Sequence, residues 1–246
     1  MLLPVFSPLV SYTQHVVDFD GTNDWLTRGA GLTGAADGKQ YTFSGWVKSD
    51  VDGSVAVVLG GFTSLGGSTA RVAVQKQADD SLLFVLRNSA GTDIVNASTA
   101  ANTMEAVDGR LHIAISVDTA DVNKRHIFIN GVNASPTWTT YTIDGVADLT
   151  LLDWAIGATA GAAAKWNGPM ADILQWQTYY DVATNIADFI SGGNPVDPDV
   201  AVAAIFAATA VNPIIRLSGS PTSTWKTNDG SGGGFTENGT LTDGSF

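Results

Sequence analysis

The stretch Asp108-Gly-Arg-Leu-His-Ile-Ala-Ile-Ser-Val-Asp118 decides the fold of this chain. From Leu111 to Val117 every second residue is a large aliphatic, and the residues between are His, Ala and Ser. Side chains that alternate in this way line the two faces of a β-strand. The following run, Arg125-His-Ile-Phe-Ile129, ends at Asn130-Gly131, a dipeptide typical of a two-residue hairpin turn. These residues predict paired antiparallel strands with one apolar face.

Similar short runs recur on both sides of this stretch, separated by turns rich in Gly, Asp and Asn. They cover residues 16–19, 25–26, 41–48, 54–59, 71–77, 82–87, 149–156 and 170–180. Only residues 184–190 and 198–210 are predicted to be helical, and Asp197 with Pro198 forms a typical start for the second. Strands at this spacing, without helices between them, favour an all-β antiparallel sandwich over a fold of alternating strands and helices.

The composition supports an all-β chain and excludes several classes of function. Glu occurs only at Glu105 and Glu237, so 22 of the 24 acidic residues are Asp, which favours turns over helix surfaces. The net charge is -12 and the basic residues form no cluster, so we expect no binding to nucleic acid or to an anionic membrane. No apolar run approaches the roughly 20 residues that span a bilayer. The absence of cysteine excludes disulfides, thiolate metal sites and Cys nucleophiles.

The chain is predicted to have three parts. Residues 1–15 form an apolar arm that is expected to pack on a neighbouring surface or subunit. It starts without basic residues and contains Pro4 and Pro8, so we expect no signal peptide. Residues 16–192 form the sandwich. Residues 193–246 contain a helix and a glycine-rich C-terminal extension, which is too short for a core of its own and is expected to pack on or beside the sandwich.

Five segments resemble, in the same order, the laminin G-like domains of the concanavalin A-like lectin/glucanase superfamily. They are Val17-Asp-Phe-Asp-Gly-Thr-Asn-Asp-Trp-Leu26, Tyr41-Thr-Phe-Ser-Gly-Trp-Val-Lys48, the stretch from Asp108 to Asp118, Ile127-Phe-Ile-Asn-Gly-Val132, and Trp166-Asn-Gly-Pro-Met-Ala-Asp-Ile-Leu-Gln-Trp176. The resemblance implies a two-sheet antiparallel jelly roll. The chain departs from the family pattern at Leu111, where Trp is common, at Ala171, where an acid is usual, and at Gln175, where an apolar residue is usual. The glycine-rich ending resembles tails found in virion proteins of tailed bacteriophages.

The sequence predicts no catalytic residues. Glucanases of this superfamily resemble one another in a strand that carries two Glu and an Asp, because a retaining glycosidase needs two carboxyl groups about 5–5.5 Å apart. Glu105 and Glu237 are far apart along the chain, and neither has an acidic residue within two positions. The chain has no Gly-x-Ser-x-Gly segment, and His112 and His126 are predicted to be exposed or to pair across strands. A glycoside hydrolase is therefore the less favoured alternative.

Three aromatic residues are candidates for stacking on a sugar. Trp46 lies on the polar side of its predicted strand, and Trp138 and Tyr141 lie in a Thr-rich loop. Amphipathic aromatic rings are common at binding surfaces, so these three are predicted to bind carbohydrate. The alternative for Trp46 is simple packing.

A cluster of hard oxygen atoms is a candidate for calcium. Asp20, Asn23 and Asp24 could supply carboxylate and amide oxygens, which Ca²⁺ prefers, and many proteins of the resembled family bind calcium. The alternative is a turn whose Asp and Asn side chains bind their own backbone. No other cofactor is expected.

Two functions follow from these observations. The first is a non-catalytic structural virion protein of a tailed bacteriophage, displayed on the particle surface as a capsid decoration or tail component. Its partners would be other virion proteins and further copies of itself in a homo-oligomer. The alternative is a carbohydrate-binding adhesion module that recognises a host-surface glycan, with or without calcium.

Overall fold

The computed structural model describes residues 12–62, 64–65, 69, 71–219 and 222–246, so most of the predicted arm at residues 1–15 lies outside the described residues. The strands in chain order are β1 (Val17–Asp20), β2 (Trp25–Arg28), β3 (Gln40–Val47), β4 (Ala56–Gly61), β5 (Val72–Lys76), β6 (Leu82–Arg87), β7 (Asp93–Ser98), β8 (Leu111–Asp118), β9 (Arg125–Ile129), β10 (Val132–Asn133), β11 (Thr137–Tyr141), β12 (Trp154–Ile156), β13 (Asn167–Trp176), β14 (Ile190–Ser191), β15 (Asn194–Pro195), β16 (Ile215–Leu217), β17 (Thr236–Asn238) and β18 (Thr242–Asp243). The α-helices are α1 (Val182–Asn185) and α2 (Pro198–Thr209).

The strands form two large sheets that pack face to face. The first sheet has the order β10-β9-β8-β3-β13-β1-β18, and β16 also pairs with β13. The second has the order β11-β7-β6-β5-β4-β12-β2-β17. Every strand pair among the described residues is antiparallel, and β14 and β15 form a separate small hairpin. The predicted all-β jelly-roll sandwich is confirmed.

The main core lies between the two sheets and is built from one face of each. Its fully buried members include Phe19, Phe43, Ile113, Ile115, Leu59, Val74, Phe84 and Trp154. The first four belong to the first sheet and the others to the second, as the alternation around β8 predicts. Burial of each such side chain contributes about 1.5–3 kcal/mol, so this layer is the main source of stability.

A second apolar layer covers the outer face of the first sheet. Trp176 and Leu174 of β13 pack there with Phe189 and with Ala201 and Ile205 of α2. Because both faces of the first sheet are covered, all eight residues of β8 are buried. The polar side of a predicted strand is therefore not its solvent side in this part of the fold.

The helices follow their predicted starts more closely than their predicted ends. The Asp197 side chain accepts the Asp199 N–H (2.9 Å), Pro198 occupies the first turn, and the helix ends at Ala210 with φ +57°. The helix predicted at residues 184–190 is shorter than expected. The Asp181 side chain caps α1, a 3-10 turn follows at residues 186–188, and the chain then enters β14.

Two positions in the fold require residues that tolerate a positive φ. Asn130 and Gly131 have φ +50° and +79°, as a tight hairpin between β9 and β10 requires. Gly168 has φ +125°, and a Cβ at this position would lie 2.3 Å from the Lys48 carbonyl oxygen. Only glycine lets β13 approach the end of β3 so closely.

The C-terminal extension contributes strands to both sheets. Its strand β16 pairs with β13, β17 pairs with β2, and β18 pairs with β1. Residues 193–246 are thus structurally continuous with the sandwich. None of the helices in the described part of the chain has the length and apolar character needed to cross a bilayer.

Candidate functional site

A polar cleft lies at one end of the sandwich, where loops between strands meet. It has a volume of about 350 Å³. The described residues that line it are Ala36, Asp37, Gly38, Lys39, Gln40, Asp118, Ala120, Leu149 and Gln177. They come from the start of β3, the end of β8 and the segments before β12 and after β13. Four separate parts of the chain therefore converge on this cleft.

Backbone contacts fix one wall of the cleft. Gly38 and Ala147 exchange two backbone hydrogen bonds of 3.1 and 2.8 Å. The Asp37 carboxylate accepts the Leu149 N–H (3.0 Å), and the Ala36 N–H donates to the Gln177 side-chain oxygen (3.0 Å). The Gln177 Nε2 atom is buried and has no hydrogen-bond partner among the described residues. A buried donor without a hydrogen bond destabilises the fold unless a ligand or water accepts from it.

Asp118 forms the opposite wall. It is only 4% exposed, and one carboxylate oxygen accepts from Gln40 Nε2 (2.9 Å) while the other accepts the Ala120 N–H (3.1 Å). Lys124 Nζ lies 3.6 Å from the same carboxylate. These contacts hold Asp118 and Gln40 together as a rigid pair of planar polar groups.

The predicted aromatic residues Trp138 and Tyr141 are brought together beside this wall. They lie on β11, an edge strand of the second sheet rather than a loop, with ring centroids 5.7 Å apart at 85°. The Arg125 guanidinium lies over both rings, at 5.3 and 5.0 Å from their centroids. Both rings are half-buried against the main core, so they close the edge of the sandwich, and neither lines the cleft.

Tyr141 also supports the loop that carries Asp118. Its hydroxyl lies 2.8 Å from the carbonyl oxygen of Asp118, 3.2 Å from that of Asp121 and 3.3 Å from that of Lys124. Burial, together with the Asp118 carboxylate, raises the pKa of Tyr141 to about 12. The hydroxyl therefore stays protonated at neutral pH and donates to the loop.

The prediction for Trp46 is wrong, because this ring is not open to a ligand. Trp46 is 2% exposed and packs with Ala171 and Ile190 on the outer face of the first sheet. Its ring contacts the His112 ring at 4.9 Å, and the Arg110 guanidinium lies 4.7 Å from its centroid. The layer that covers this face explains the error, since the hydroxyl-bearing side of β3 faces protein instead of solvent.

The turn formed by Asp20, Asn23 and Asp24 is held by its own backbone N–H groups, and calcium binding there stays a prediction. One Asp20 oxygen accepts the N–H groups of Thr22 (2.7 Å), Asn23 (2.9 Å) and Asp24 (3.2 Å). These backbone donors lower the pKa of Asp20, as expected for a carboxylate held by amides. Asp24 in turn accepts the Thr240 N–H (2.8 Å). Asp20 Oδ1 and both Asp24 oxygens thus accept from backbone N–H groups, which favours the turn alternative.

Ser44 and His112 form a buried pair that resembles part of a catalytic arrangement. Ser44 Oγ and His112 Nε2 lie 2.9 Å apart across β3 and β8. His112 is fully buried, and burial lowers its pKa to about 3. Its Nδ1 has no hydrogen-bond partner in the described structure, so the third member that orients a catalytic histidine is missing. His112 pairs across strands, as predicted, but is not exposed.

Asp172 is a perturbed residue that the sequence did not reveal. It lies at a bulge in β13 with φ +51°, and it is 4% exposed. The Tyr12 hydroxyl and the Gln14 amide donate to its two oxygens, each at 2.7 Å. Burial raises the pKa of Asp172 to about 6, although these donors act in the opposite direction. This carboxyl ties residues 12–14 to the outer face of the first sheet.

Comparison with known proteins shows the fold. No family model and no curated protein sequence matches the chain. A putative carbohydrate binding protein from Bacteroides ovatus superimposes with a TM-score of 0.60 at 14% identity, over 95% of this chain and 60% of that one. The native heptameric SAP-like pentraxin from Limulus polyphemus superimposes with a TM-score of 0.56 at 12% identity, over 96% of both chains. Domains LG4-5 of the mouse laminin alpha1 chain give a TM-score of 0.46 at 12% identity, over 68% of this chain and 42% of that one. The first two superpositions show that the chain shares the two-sheet antiparallel sandwich fold of those proteins.

Proposed function

We propose that this protein is a non-catalytic carbohydrate-binding module whose ligand occupies the cleft at the end of the sandwich. The observation that carries the proposal is the convergence of the planar polar side chains Asp37, Gln40, Asp118 and Gln177 in one cleft of about 350 Å³. The structurally similar Bacteroides ovatus protein, described as a putative carbohydrate binding protein, supports the proposal of carbohydrate binding.

The chemistry of the cleft suits saccharide hydroxyl groups. Each hydroxyl both donates and accepts, so it matches a wall that offers carboxylate acceptors and amide donors. The exposed Asp37 carboxylate would accept from such a hydroxyl. The exposed methyl groups of Ala36 and Ala120 supply apolar surface for the C–H face of a sugar ring.

A steric block provides the sharpest test. Ala120 lines the cleft and is exposed, so an Ala120→Trp substitution fills the cleft without disturbing the core. Ala101 is exposed in the turn beside Asp79, at the opposite end of the sandwich, and Ala101→Trp is the matched control. We expect glycan-array binding by the unmodified protein and by Ala101→Trp, and a loss of at least about tenfold in affinity for Ala120→Trp by calorimetry. Absence of binding to every glycan, or equal binding by both variants, would overturn the proposal.

The role as a structural virion protein stays a prediction. It rests on the resemblance of the glycine-rich ending to phage proteins, and display on a particle is compatible with a glycan-binding cleft. The test of that location is mass spectrometry of purified particles.

A further inference from the structure

We infer, on the basis of the proposed function, that the cleft takes uncharged saccharides and rejects those that carry a carboxylate. The argument rests on which charged groups line the cleft and which of them already have partners. The described lining contributes two carboxylates, Asp37 and Asp118, and one ammonium group, Lys39. The lining therefore carries a net negative charge.

The cations at the cleft are already engaged by carboxylates. Lys39 Nζ lies 2.7 Å from an Asp144 oxygen, and Lys124 Nζ lies 3.6 Å from Asp118. Each lysine charge is thus partly neutralised by a carboxylate of the protein, which weakens its attraction for an acidic sugar. Arginine, the residue that best matches a carboxylate through two parallel hydrogen bonds, does not occur among the described residues that line the cleft.

Arg125 is engaged by aromatic rings. Its guanidinium lies over the rings of Trp138 and Tyr141, so its planar face is stacked on the aromatic pair. Within the described structure, Lys39, Lys124 and Arg125 thus each have a protein partner already.

The Asp37 carboxylate keeps acceptor capacity for a ligand. Asp37 is exposed and uses one oxygen to accept the Leu149 and Thr150 N–H groups, at 3.0 and 3.3 Å. A carboxylate has two oxygens and about four acceptor positions, so Asp37 can still accept from a sugar hydroxyl. It would repel a sugar carboxylate at the same place, and the net charge of -12 adds a long-range field of the same sign.

The experiment compares saccharides that differ only in charge. Oligosaccharides ending in glucose or galactose are paired with the same oligosaccharides ending in glucuronic or galacturonic acid, and affinities are measured by calorimetry at low and physiological salt. We expect the neutral member of a pair to bind at least about tenfold more tightly, with a smaller difference at higher salt because screening shortens the range of repulsion. If the acidic member binds more tightly, the selectivity inference is overturned while the proposed function stands. If neither member of any pair binds, and the glycan array is also negative, the proposed function itself fails.

An isosteric variant separates charge from shape. Asp37→Asn keeps the side-chain oxygen that accepts from Leu149 and removes one negative charge from the cleft. We expect it to raise the ratio of acidic-member affinity to neutral-member affinity at least about threefold, whatever its effect on the neutral member alone. The control is Asp79→Asn, whose side chain accepts from Ser81 at the opposite end of the sandwich. An equal response in both variants would overturn the assignment of selectivity to the cleft.

Discussion

Substitution of the buried Asp172 by Asn should remove a measurable part of the pH dependence of stability. The pKa of this carboxyl rises from its ordinary value of 3.8 to about 6 in the folded protein, and burial is the main cause. In the unfolded chain the group is ionised above about pH 4, whereas in the fold it stays neutral up to about pH 6. The folded state therefore binds the proton more tightly, and its stability falls as the pH rises from 4 to 7.

The magnitude follows from the size of the shift. One pKa unit corresponds to 1.36 kcal/mol, so a shift of this size is worth about 2–3 kcal/mol between pH 4 and pH 7. Relative to the Asp172→Asn variant, the unmodified protein should gain this amount on acidification. Asn also tolerates the positive φ of residue 172, so the bulge is expected to survive the substitution.

The assay is urea unfolding at several pH values, followed by tryptophan fluorescence. His15 and Asp197 also act on Asp172, so the series is repeated with His15→Gln to exclude titration of the histidine. Exposed Asp243 on the edge strand β18 provides the control substitution Asp243→Asn, which should leave the pH profile unchanged. A constant stability difference between the unmodified protein and Asp172→Asn from pH 4 to pH 7 would refute the reasoning.

Three further predictions concern the aromatic residues and the acidic turn. Tyr141→Phe should cost about 1–1.5 kcal/mol in urea unfolding and weaken glycan binding severalfold, because it removes the hydroxyl that supports the Asp118 loop. Tyr180→Phe removes a hydroxyl bonded to Asp188 instead, and should change stability but not binding. Trp46→Ala should lower the free energy of unfolding by about 3–5 kcal/mol, since its ring is buried in the outer layer. Glycan affinity measured below the melting temperature should not change. Lost binding with unchanged stability would contradict this expectation. Asp20→Ala should lower the free energy of unfolding by about 1–2 kcal/mol, because it removes an acceptor of three N–H groups. EDTA should leave the Tm of the unmodified protein unchanged, and a fall in Tm with EDTA would show that a metal binds.

The strands that were predicted correctly have a strong alternation or a specific turn. Strand β8 and the Asn130-Gly131 hairpin are examples. Their local residues determine the alternation of apolar side chains in the strand and the type of turn in the hairpin. Strands β7 and β11 were missed because their sequences, Asp-Ile-Val-Asn-Ala-Ser and Thr-Trp-Thr-Thr-Tyr, are rich in polar residues. Pairing with neighbouring strands makes them part of the sheet, and that pairing is a long-range property.

The burial of Trp46 could not be predicted from β3 alone. Its neighbours Thr42 and Ser44 are typical of a solvent-facing side, yet Thr42 Oγ1 donates to the Thr178 carbonyl and Ser44 contacts His112. The first contact depends on a residue 136 positions later in the chain, and the second on one 68 positions later. The cleft could not be predicted for the same reason, because Gln40, Asp118 and Gln177 meet only after the sheets have formed. The sequence could indicate which residue types bind sugars, but not which of them would converge.

The pairing of β1 with β18 and of β2 with β17 has a consequence for the kinetics of folding. Each pair joins segments that are more than 200 residues apart in the sequence. Contacts over such long separations slow folding, since chain entropy is lost before the contacts form. Until those late pairings form, β1 and β2 keep an unpaired strand edge, and an open edge is a site where another chain can pair and aggregate.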